Sequence, residues 1–278
     1  MDETRARAWD EHWERQLNNT TRRRFALIPL QGEHIVDSAR YFQAEGATRV
    51  LLPGNGCSLV PYALAHIGLK VTVLDISTVA LAAVKQQGEA ITEELLTRFM
   101  AVYRKIEKEE PYSFWEPDSK ASLAYVRESF RAGGEVDLIH ADVFKYTQEL
   151  SADFIVDDCL LTLFNAEDQE KLALRYSEWL RPGGACYVQT SNYGVRRSDD
   201  GFDFSGVKQA RQGLESAFAN AGFFEGYPWR IEPPRIKSVG PFGKKVYEES
   251  PEPLPAQREQ ERRRLAGEKL VAFIHGSG

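Results

Sequence analysis

Short apolar runs recur along the chain, and each is followed by a segment with helical periodicity. The runs carry apolar residues on both faces, which is typical of strands in a parallel sheet that helices cover on both sides. Because strands and helices alternate, the pattern predicts an α/β fold. The predicted strands are Arg49–Leu52, Lys70–Leu74, Val136–Ile139, Phe154–Val156 and Ala185–Val188.

Two of the predicted helices carry apolar stripes with the period of an α-helix. The first stripe is followed by Arg181–Gly184, where a proline and two glycines mark a boundary before the next strand. The stripes consist of Leu172, Tyr176, Trp179 and Leu180, and of Val207, Ala210, Leu214, Phe218 and Ala221.

Three segments do not fit the alternation of strands and helices, and we expect them to be additions to a single domain that spans residues 1–278. Residues 1–48 precede the sheet and are expected to form a helical cap. Residues 86–134 contain an extra amphipathic pattern where one connecting helix would suffice, so they predict a helical insertion. Residues 239–267 are expected to form a third insertion, before the last strand.

Composition and charge exclude several classes of protein. No apolar run approaches the ~18 to 20 residues of a membrane span, and the N-terminal residues lack an apolar signal core. Cys57, Cys159 and Cys186 lie far apart, so we expect neither a disulfide framework nor a bound metal. The 35 Lys and Arg against 41 Asp and Glu give a net charge of −6, which disfavours nucleic acid as the main partner. We expect a cytoplasmic protein without a membrane segment, of open oligomeric state.

The most informative segment is the glycine-containing loop Pro53–Ser58, which directly follows the first predicted strand. Gly54 and Gly56 allow a tight turn and let a ligand approach the backbone, and the next helix begins with unpaired N–H groups. Asp75 ends the second strand, at the sheet edge where open α/β sheets bind ribose hydroxyls. The combination predicts a site for a nucleoside-bearing cofactor.

The nature of the cofactor depends on residues beyond this loop. NAD sites use the same glycine loop and acid, but their fingerprint has a third glycine where Leu59 stands here. Acids also end the third and fourth strands, as Asp142 and the adjacent pair Asp157 and Asp158. Successive acids at neighbouring strand tips suit a compact cationic ligand, so an NAD-linked oxidoreductase stays only as an alternative.

Several strings of the sequence occur together in the order of one known family. They are Val50–Gly56, Gly68–Ser77, Asp142, Asp157 and Leu180–Ala185. Over residues 48–190 the chain thereby resembles the class I S-adenosylmethionine-dependent methyltransferases, nearest to the thiopurine and halide methyltransferase group. The resemblance implies a Rossmann-like, doubly wound, mostly parallel seven-stranded sheet that ends in an antiparallel hairpin. The hairpin strands would be Ile231–Ser238 and Leu270–Ile274.

The resemblance implies S-adenosylmethionine as the cofactor and assigns its parts to residues of this chain. The implied set is Gly54 and Gly56 for the methionine part, Asp75 for the ribose hydroxyls, Ile76 and Val143 for the adenine faces, and Asp142 for the adenine amine. The remaining expected cofactor residues are Pro53, Asn55, Ser77, Asp157 and Trp13.

Methyl transfer from a sulfonium is an in-line displacement, so the protein mainly supplies alignment and exclusion of water. A base is needed only if the acceptor must lose a proton. Asp158 and His140 are the catalytic candidates, because both lie at the tips of predicted strands. The acidic charge balance favours a small-molecule acceptor over RNA.

Other interpretations of these residues and of the function stay open. Asp142 can form an Asx turn, His140 can be a packed, hydrogen-bonded histidine, and only one of Asp157 and Asp158 can point into the site if the strand is extended. Trp13 can either fasten the N-terminal helix to the body or close the site as a lid. A cyclase or lyase of the same fold that releases methylthioadenosine, and a cofactor-binding protein without turnover, are the functional alternatives.

Overall fold

The structure is a computed structural model of the 278-residue chain. It describes residues 3–18, 46–66, 68–89, 135–190, 196–198, 201–203, 207–226, 236–239, 245–247 and 255–274. Most of the expected 86–134 insertion and much of the 1–48 and 239–267 additions lie outside the described residues. None of the described helices is both long and apolar enough to cross a membrane.

The described strands are β1 Arg49–Pro53, β2 Lys70–Asp75, β3 Val136–His140, β4 Ala152–Asp158, β5 Leu180–Gln189, β6 Arg196–Ser198, β7 Gly201–Asp203, β8 Phe223–Glu225, β9 Ile236–Val239, β10 Lys245–Tyr247 and β11 Lys269–Ile274. The described helices are α1 Glu3–Asn18, α2 Val60–His66, α3 Thr78–Glu89, α4 Ala166–Trp179, α5 Val207–Asn220 and α6 Pro255–Leu265, with a short 3-10 helix at Leu161–Leu163.

Seven strands form one sheet in the order β3-β2-β1-β4-β5-β11-β8, and every neighbouring pair in it is parallel. Helices alternate with the strands along the chain, which confirms the predicted α/β, Rossmann-like fold. Because the strands are parallel, their carboxyl ends share one edge of the sheet. This carboxyl edge carries Pro53, Asp75, His140 and Asp158, the last residues of β1 to β4.

The expected antiparallel hairpin at the end of the sheet is wrong. β11 runs parallel to both β5 and β8, and β9 instead pairs with β10 in a separate antiparallel ribbon. The chain reaches β11 through α6, which packs against β5 and β11. A crossover helix returns the chain to the same end of the sheet, so the strand that follows enters in parallel, whereas a hairpin needs a tight turn.

The two faces of the sheet bury two separate hydrophobic cores. Strand residues alternate between them, so Leu51 and Ile155 face α4 and α5, while Leu52 and Val156 face α2. The two stripes predicted for α4 and α5 contribute Tyr176, Trp179, Leu214 and Phe218 to the first core. Burial on both faces explains why the strands read as continuous apolar runs in the sequence.

Asp153 fastens three strands at the opposite, amino edge of the sheet. Its Oδ2 accepts hydrogen bonds from the backbone N–H groups of Thr48, at 2.6 Å, and Arg49, at 2.9 Å, and its other oxygen pairs with Arg181. Burial alone would raise the pKa of Asp153, but these hydrogen bonds and the Arg181 charge outweigh it and hold the pKa below its ordinary value. The acid therefore stabilises the amino edge in its ionised form.

The basic run on α6 takes part in packing rather than forming a free cationic surface. Arg263 lies 3.9 Å above the Phe224 ring and pairs with Glu268, and Arg264 Nε donates to the Gly183 carbonyl at 3.0 Å. Arg262 pairs with a glutamate one turn earlier on the same helix. Arg262 and Arg263 are therefore paired with carboxylates, and Arg264 ties α6 to β5.

Candidate functional site

The loop after β1 has a backbone that favours glycine at two positions. Gly54 and Gly56 have φ values of +62° and +59°, in the left-handed region where side chains are strained. There is also no room for a side chain at either position. A Cβ atom on Gly54 would lie 2.6 Å from Leu160 Cδ1, and one on Gly56 would overlap the Trp13 ring. Gly54 N donates to the Leu74 carbonyl at 2.7 Å, which fixes the turn against β2.

Asn55 and Pro53 shape the same loop. Asn55 Nδ2 donates to the carbonyls of Gly56 and Ser58, at 3.1 and 3.0 Å, so the side chain closes the loop on itself. Pro53 is the last residue of β1 and is buried beside Leu74 in β2. Both residues thus hold the loop in shape.

Asp75 lies directly beneath the glycine loop. Its Oδ2 accepts a hydrogen bond from Gly56 N and its Oδ1 accepts one from Ser77 N, both at 2.8 Å. The residue is buried, and burial raises its pKa although these hydrogen bonds oppose the shift. A carboxylate offers about four lone-pair sites, and the backbone N–H groups of Gly56, Ser77 and Ile76 bond to this one, so capacity remains for a further donor such as a ribose hydroxyl.

The tip of β3 brings Asp142, Val143 and His140 next to the β2 tip. Asp142 Oδ1 accepts from Phe144 N at 3.0 Å, the Asx turn considered from the sequence, and both Asp142 and Val143 are buried. His140 Nε2 lies 3.0 Å from the Ile76 carbonyl oxygen, so this ring nitrogen donates in the tautomer that makes the bond. His140 therefore connects the loops after β2 and β3 through this hydrogen bond, although its side chain is exposed rather than packed.

The two acids at the tip of β4 point to opposite faces of the sheet. Asp157 is fully buried on the α4 side, where it accepts from Tyr176 Oη at 2.6 Å and from Leu161 N at 3.2 Å. Burial raises its pKa to about 7 against these hydrogen bonds. Asp158, on the α2 side with the glycine loop, has its pKa raised to about 6, again mainly by burial, and Cys159 hydrogen-bonds to it.

These shifts predict an unusual pH dependence of stability. Because the folded protein raises the pKa of Asp157, it binds a proton that the unfolded chain releases. The stability that this proton contributes is largest below the ordinary pKa of an aspartate and is lost as pH rises through about 7. We expect Asp157→Asn to flatten the pH dependence of the unfolding free energy between pH 5 and 8, by at most about 1.4 kcal/mol per pH unit. Urea unfolding at each pH gives the free energy of unfolding of the variant and of the wild type.

Asp153→Asn is the matched control, since the same substitution is made at a buried acid whose pKa is lowered. The contribution of Asp153 is present above its ordinary pKa and is lost only as pH falls below it. This variant is expected to lose stability about uniformly between pH 5 and 8. A slope in Asp157→Asn as steep as in the wild type would contradict the raised pKa.

Helix α1 is fastened to the site by Asp10, which the sequence analysis did not single out. Its carboxylate accepts from Ser77 Oγ at 2.6 Å, Thr78 Oγ1 at 3.0 Å and Val79 N at 3.1 Å, and so caps the N-terminus of α3. Burial raises the pKa of Asp10, but these hydrogen bonds together lower it below the ordinary value. Ser77, expected to bind cofactor, uses its hydroxyl to hold α1.

Aromatic and cationic side chains of α1 contact the other loops of the carboxyl edge. Trp13 packs on Gly56 and stacks on Trp9 with ring centres 6.3 Å apart. At the other end of the helix, the Arg5 guanidinium lies 5.8 Å from the ring centres of both Phe144 and Phe164. Helix α1 thus crosses the loops that follow β1, β2, β3 and β4. It is a cover over the predicted site.

Removing the Asp10 carboxylate is expected to release this cover. Loss of a helix cap costs ~1 kcal/mol, and such a loss makes the undocked state about five-fold more populated. We expect Asp10→Ala to be cleaved by trypsin after Arg15 about five times faster than the wild type, with little change in the unfolding of the sheet. Equal cleavage in Asp10→Ala and in the exposed control Glu14→Ala would show that Asp10 does not hold the helix.

Comparison with known proteins finds solved structures whose fold is similar to that of this chain. The sequence matches no known family and no curated protein. The N-methyltransferase NodS from Bradyrhizobium japonicum, in complex with S-adenosyl-L-homocysteine, is 16% identical with a TM-score of 0.40, and the match covers 63% of this chain and 69% of NodS. Magnesium protoporphyrin IX methyltransferase from Synechocystis, with bound S-adenosylmethionine, is 12% identical with a TM-score of 0.42, over 78% of this chain and 86% of that protein.

The glycopeptide N-methyltransferase MtfA in complex with sinefungin is 18% identical with a TM-score of 0.34, over 54% of this chain. The match spans 47% of MtfA, less than half its length. These likenesses concern the arrangement of strands and helices.

Proposed function

We propose that the carboxyl edge of the sheet binds S-adenosylmethionine and that the chain is a class I methyltransferase acting on a small-molecule acceptor. The observation that carries the proposal is the Asp75 carboxylate, buried beneath the Gly54–Gly56 turn, where Gly56 N–H bonds to one oxygen and Ser77 N–H to the other. The turn holds the acid at a fixed position and leaves acceptor capacity on the carboxylate. Two adjacent ribose hydroxyls are the donors that suit such a pair of oxygens.

The other parts of the cofactor fit residues on the same edge. Asp142, with one oxygen engaged by Phe144 N, can accept from the adenine amine through the other. Ile76 and Val143 lie at the tips of the adjacent strands β2 and β3 and can flank the adenine ring. Trp13, packed on Gly56, can lie over the methionine part, where the face of an indole attracts a cation.

When bound, S-adenosylmethionine supplies a methyl group on a positively charged sulfur. The chain holds that group in line with the acceptor and excludes water by means of α1. Asp158, on the same face of the sheet as the glycine loop and with a raised pKa, is the residue that takes a proton from an acceptor. Asp157 holds the loop after β4 through Leu161 N, so its action on the site is indirect.

Within the superfamily we propose the thiopurine and halide methyltransferase group as the nearest relatives. The support is the tryptophan pair of α1, since Trp9 stacks on Trp13 and Trp13 covers the glycine loop. The position of Leu59 speaks against an NAD enzyme, because this side chain is buried where the NAD fingerprint requires a glycine.

An assay of methyl transfer tests the proposed enzymatic function. Purified protein is incubated with S-adenosylmethionine and an equimolar mixture of small thiols, amines and phenols, and products are followed by liquid chromatography and mass spectrometry. Formation of S-adenosylhomocysteine together with a methylated acceptor is expected. Bound cofactor that stays intact with every acceptor would favour a cofactor-binding protein without turnover and would contradict the enzyme assignment.

A further inference from the structure

Tyr187 in β5 carries a buried hydroxyl whose role the fold does not explain. The residue has no exposed surface, and within the described parts of the chain its Oη has no hydrogen-bond partner. Nearly all buried polar groups in proteins are paired, because an unpaired one costs free energy. A phenylalanine would fill the same core position without that cost, so the hydroxyl points to a partner beyond the described residues.

The register of the sheet places this hydroxyl next to Asp158. Tyr187 pairs with Val156 across β4 and β5, and Asp158 lies two residues beyond Val156, so Tyr187 and Asp158 project from the same face. Burial raises the pKa of Tyr187, and the negative charge of Asp158 raises it further, as expected for neighbouring groups. Asp157 and Tyr176 form their own hydrogen-bonded pair on the opposite face.

The same face leads to the glycine loop. Leu52 of β1 and Val156 of β4 share the α2-side core with Tyr187, and Gly54 lies two residues beyond Leu52 as Asp158 lies beyond Val156. The Tyr187 hydroxyl and the Asp158 carboxylate thus lie below the edge on which the methionine part of the cofactor is proposed to bind. A ligand group held by the Tyr187 hydroxyl and the Asp158 carboxylate would therefore lie close to the carbon atoms on the sulfonium of the proposed cofactor.

We propose that the Tyr187 hydroxyl and the Asp158 carboxylate form a subsite for a primary or secondary amine, the nucleophile of the reaction. This inference rests on the proposed function and names the acceptor class. An ammonium group donates several hydrogen bonds, and a carboxylate with a phenol oxygen offers matching acceptors. A thiolate or a carboxylate in the same place would be repelled by the Asp158 charge.

The chemistry balances without a further reactant. Asp158 takes one proton from the ammonium and frees the nitrogen lone pair. That pair forms a bond to a carbon on the sulfonium, the carbon–sulfur bond breaks, and its electron pair stays on sulfur as a neutral thioether. Tyr187 orients the nitrogen and keeps its own proton, since its raised pKa makes it a poor acid.

Two sources can supply the amine, and their products differ. A separate amine yields S-adenosylhomocysteine and an N-methylated amine. The amino group of the cofactor itself yields methylthioadenosine and a cyclised amino acid, the cyclase alternative considered from the sequence. Both use the same subsite, so product analysis decides between them.

The test compares Tyr187→Phe and Asp158→Asn with Tyr146→Phe, which removes a hydroxyl that already bonds to Gln148. The probes are S-adenosylmethionine alone, then with benzylamine, phenethylamine and putrescine, and then with benzyl mercaptan and phenol. We expect amine-dependent products in the wild type and kcat/KM lowered about ten-fold to a hundred-fold in Tyr187→Phe. For Asp158→Asn we expect the rise of kcat through about pH 6 to disappear.

Reaction confined to the thiol or the phenol, or reaction with none of the probes, would overturn the amine subsite. So would a Tyr187→Phe variant with unchanged kinetics and a raised melting temperature, the behaviour of a hydroxyl that is merely unpaired. Titration with S-adenosylmethionine separates this failure from that of the proposed function. If the cofactor binds and only the amine results fail, the subsite is wrong and the cofactor site stands.

Discussion

Replacing Asp75 by alanine is expected to weaken the binding of S-adenosylmethionine by at least about a hundred-fold. The proposed cofactor loses two hydrogen bonds to a charged acceptor, worth ~1.5–3 kcal/mol each, and every ~1.4 kcal/mol is ten-fold in affinity. The substitution also leaves the N–H groups of Gly56 and Ser77 without their acceptor, which loosens the loop itself. Isothermal titration gives the dissociation constants.

Asp75→Asn refines the result, because asparagine keeps one oxygen but turns an N–H group toward Gly56 N or Ser77 N. We expect it to lose almost as much affinity as alanine. Asp137→Asn serves as the control, since that acid is exposed on β3. If Asp75→Ala stays folded by circular dichroism and binds the cofactor as the wild type does, Asp75 is only a structural cap of the loop.

Replacing Gly56 by alanine is expected to have the largest effect on stability at the site. A left-handed backbone costs alanine ~1–2 kcal/mol. The new methyl group also overlaps the Trp13 ring, and overpacking typically costs ~1–3 kcal/mol more. We expect the variant to displace α1, to lower the free energy of unfolding by about 2–5 kcal/mol, and to lose cofactor affinity.

A double-mutant cycle with Trp13→Ala separates the two causes. Without the indole, the cost of Gly56→Ala should fall to the backbone contribution of ~1–2 kcal/mol. Gly213→Ala is the matched control, because among the described residues outside its own helix backbone no atom lies within 4 Å of a Cβ added to this glycine in α5. The change is expected to stabilise the helix by ~0.5–1 kcal/mol. Additive costs in the cycle would show that Trp13 does not pack on Gly56 in solution.

The sheet could be predicted from the sequence because its strands are buried on both faces. Runs such as Lys70–Leu74 are too short and too apolar for other elements, and the structure extends four of the five predicted strands by no more than two residues at either end. The fifth, β5, begins at Leu180, five residues before its predicted start, so Arg181–Gly184 belongs to the strand and the predicted boundary there is wrong. The direction of β11 could not be predicted in the same way. Local sequence does not encode whether a strand enters a sheet after a turn or after a crossover helix such as α6.

The site was partly predictable for a similar reason. Gly54, Gly56 and Asp75 stand out because residue type and strand position coincide, and parallel topology brings them together. Asp10 gave no such signal, since its partners lie 67 to 69 residues away and only the docking of α1 creates the contact. Tyr187 looked like an ordinary core residue. Its hydroxyl becomes notable only once burial and the absence of a partner among the described residues are known.

Titration of the purified protein with S-adenosylmethionine, S-adenosylhomocysteine and NAD⁺ tests the central claim most directly. We predict saturable binding of the first two with one site per chain, no binding of NAD⁺, and loss of the signal in Asp75→Ala but not in Asp137→Asn. Folded protein that binds neither sulfur nucleoside, or that binds NAD⁺ instead, would contradict the cofactor assignment for the loop formed by Gly54, Gly56 and Asp75.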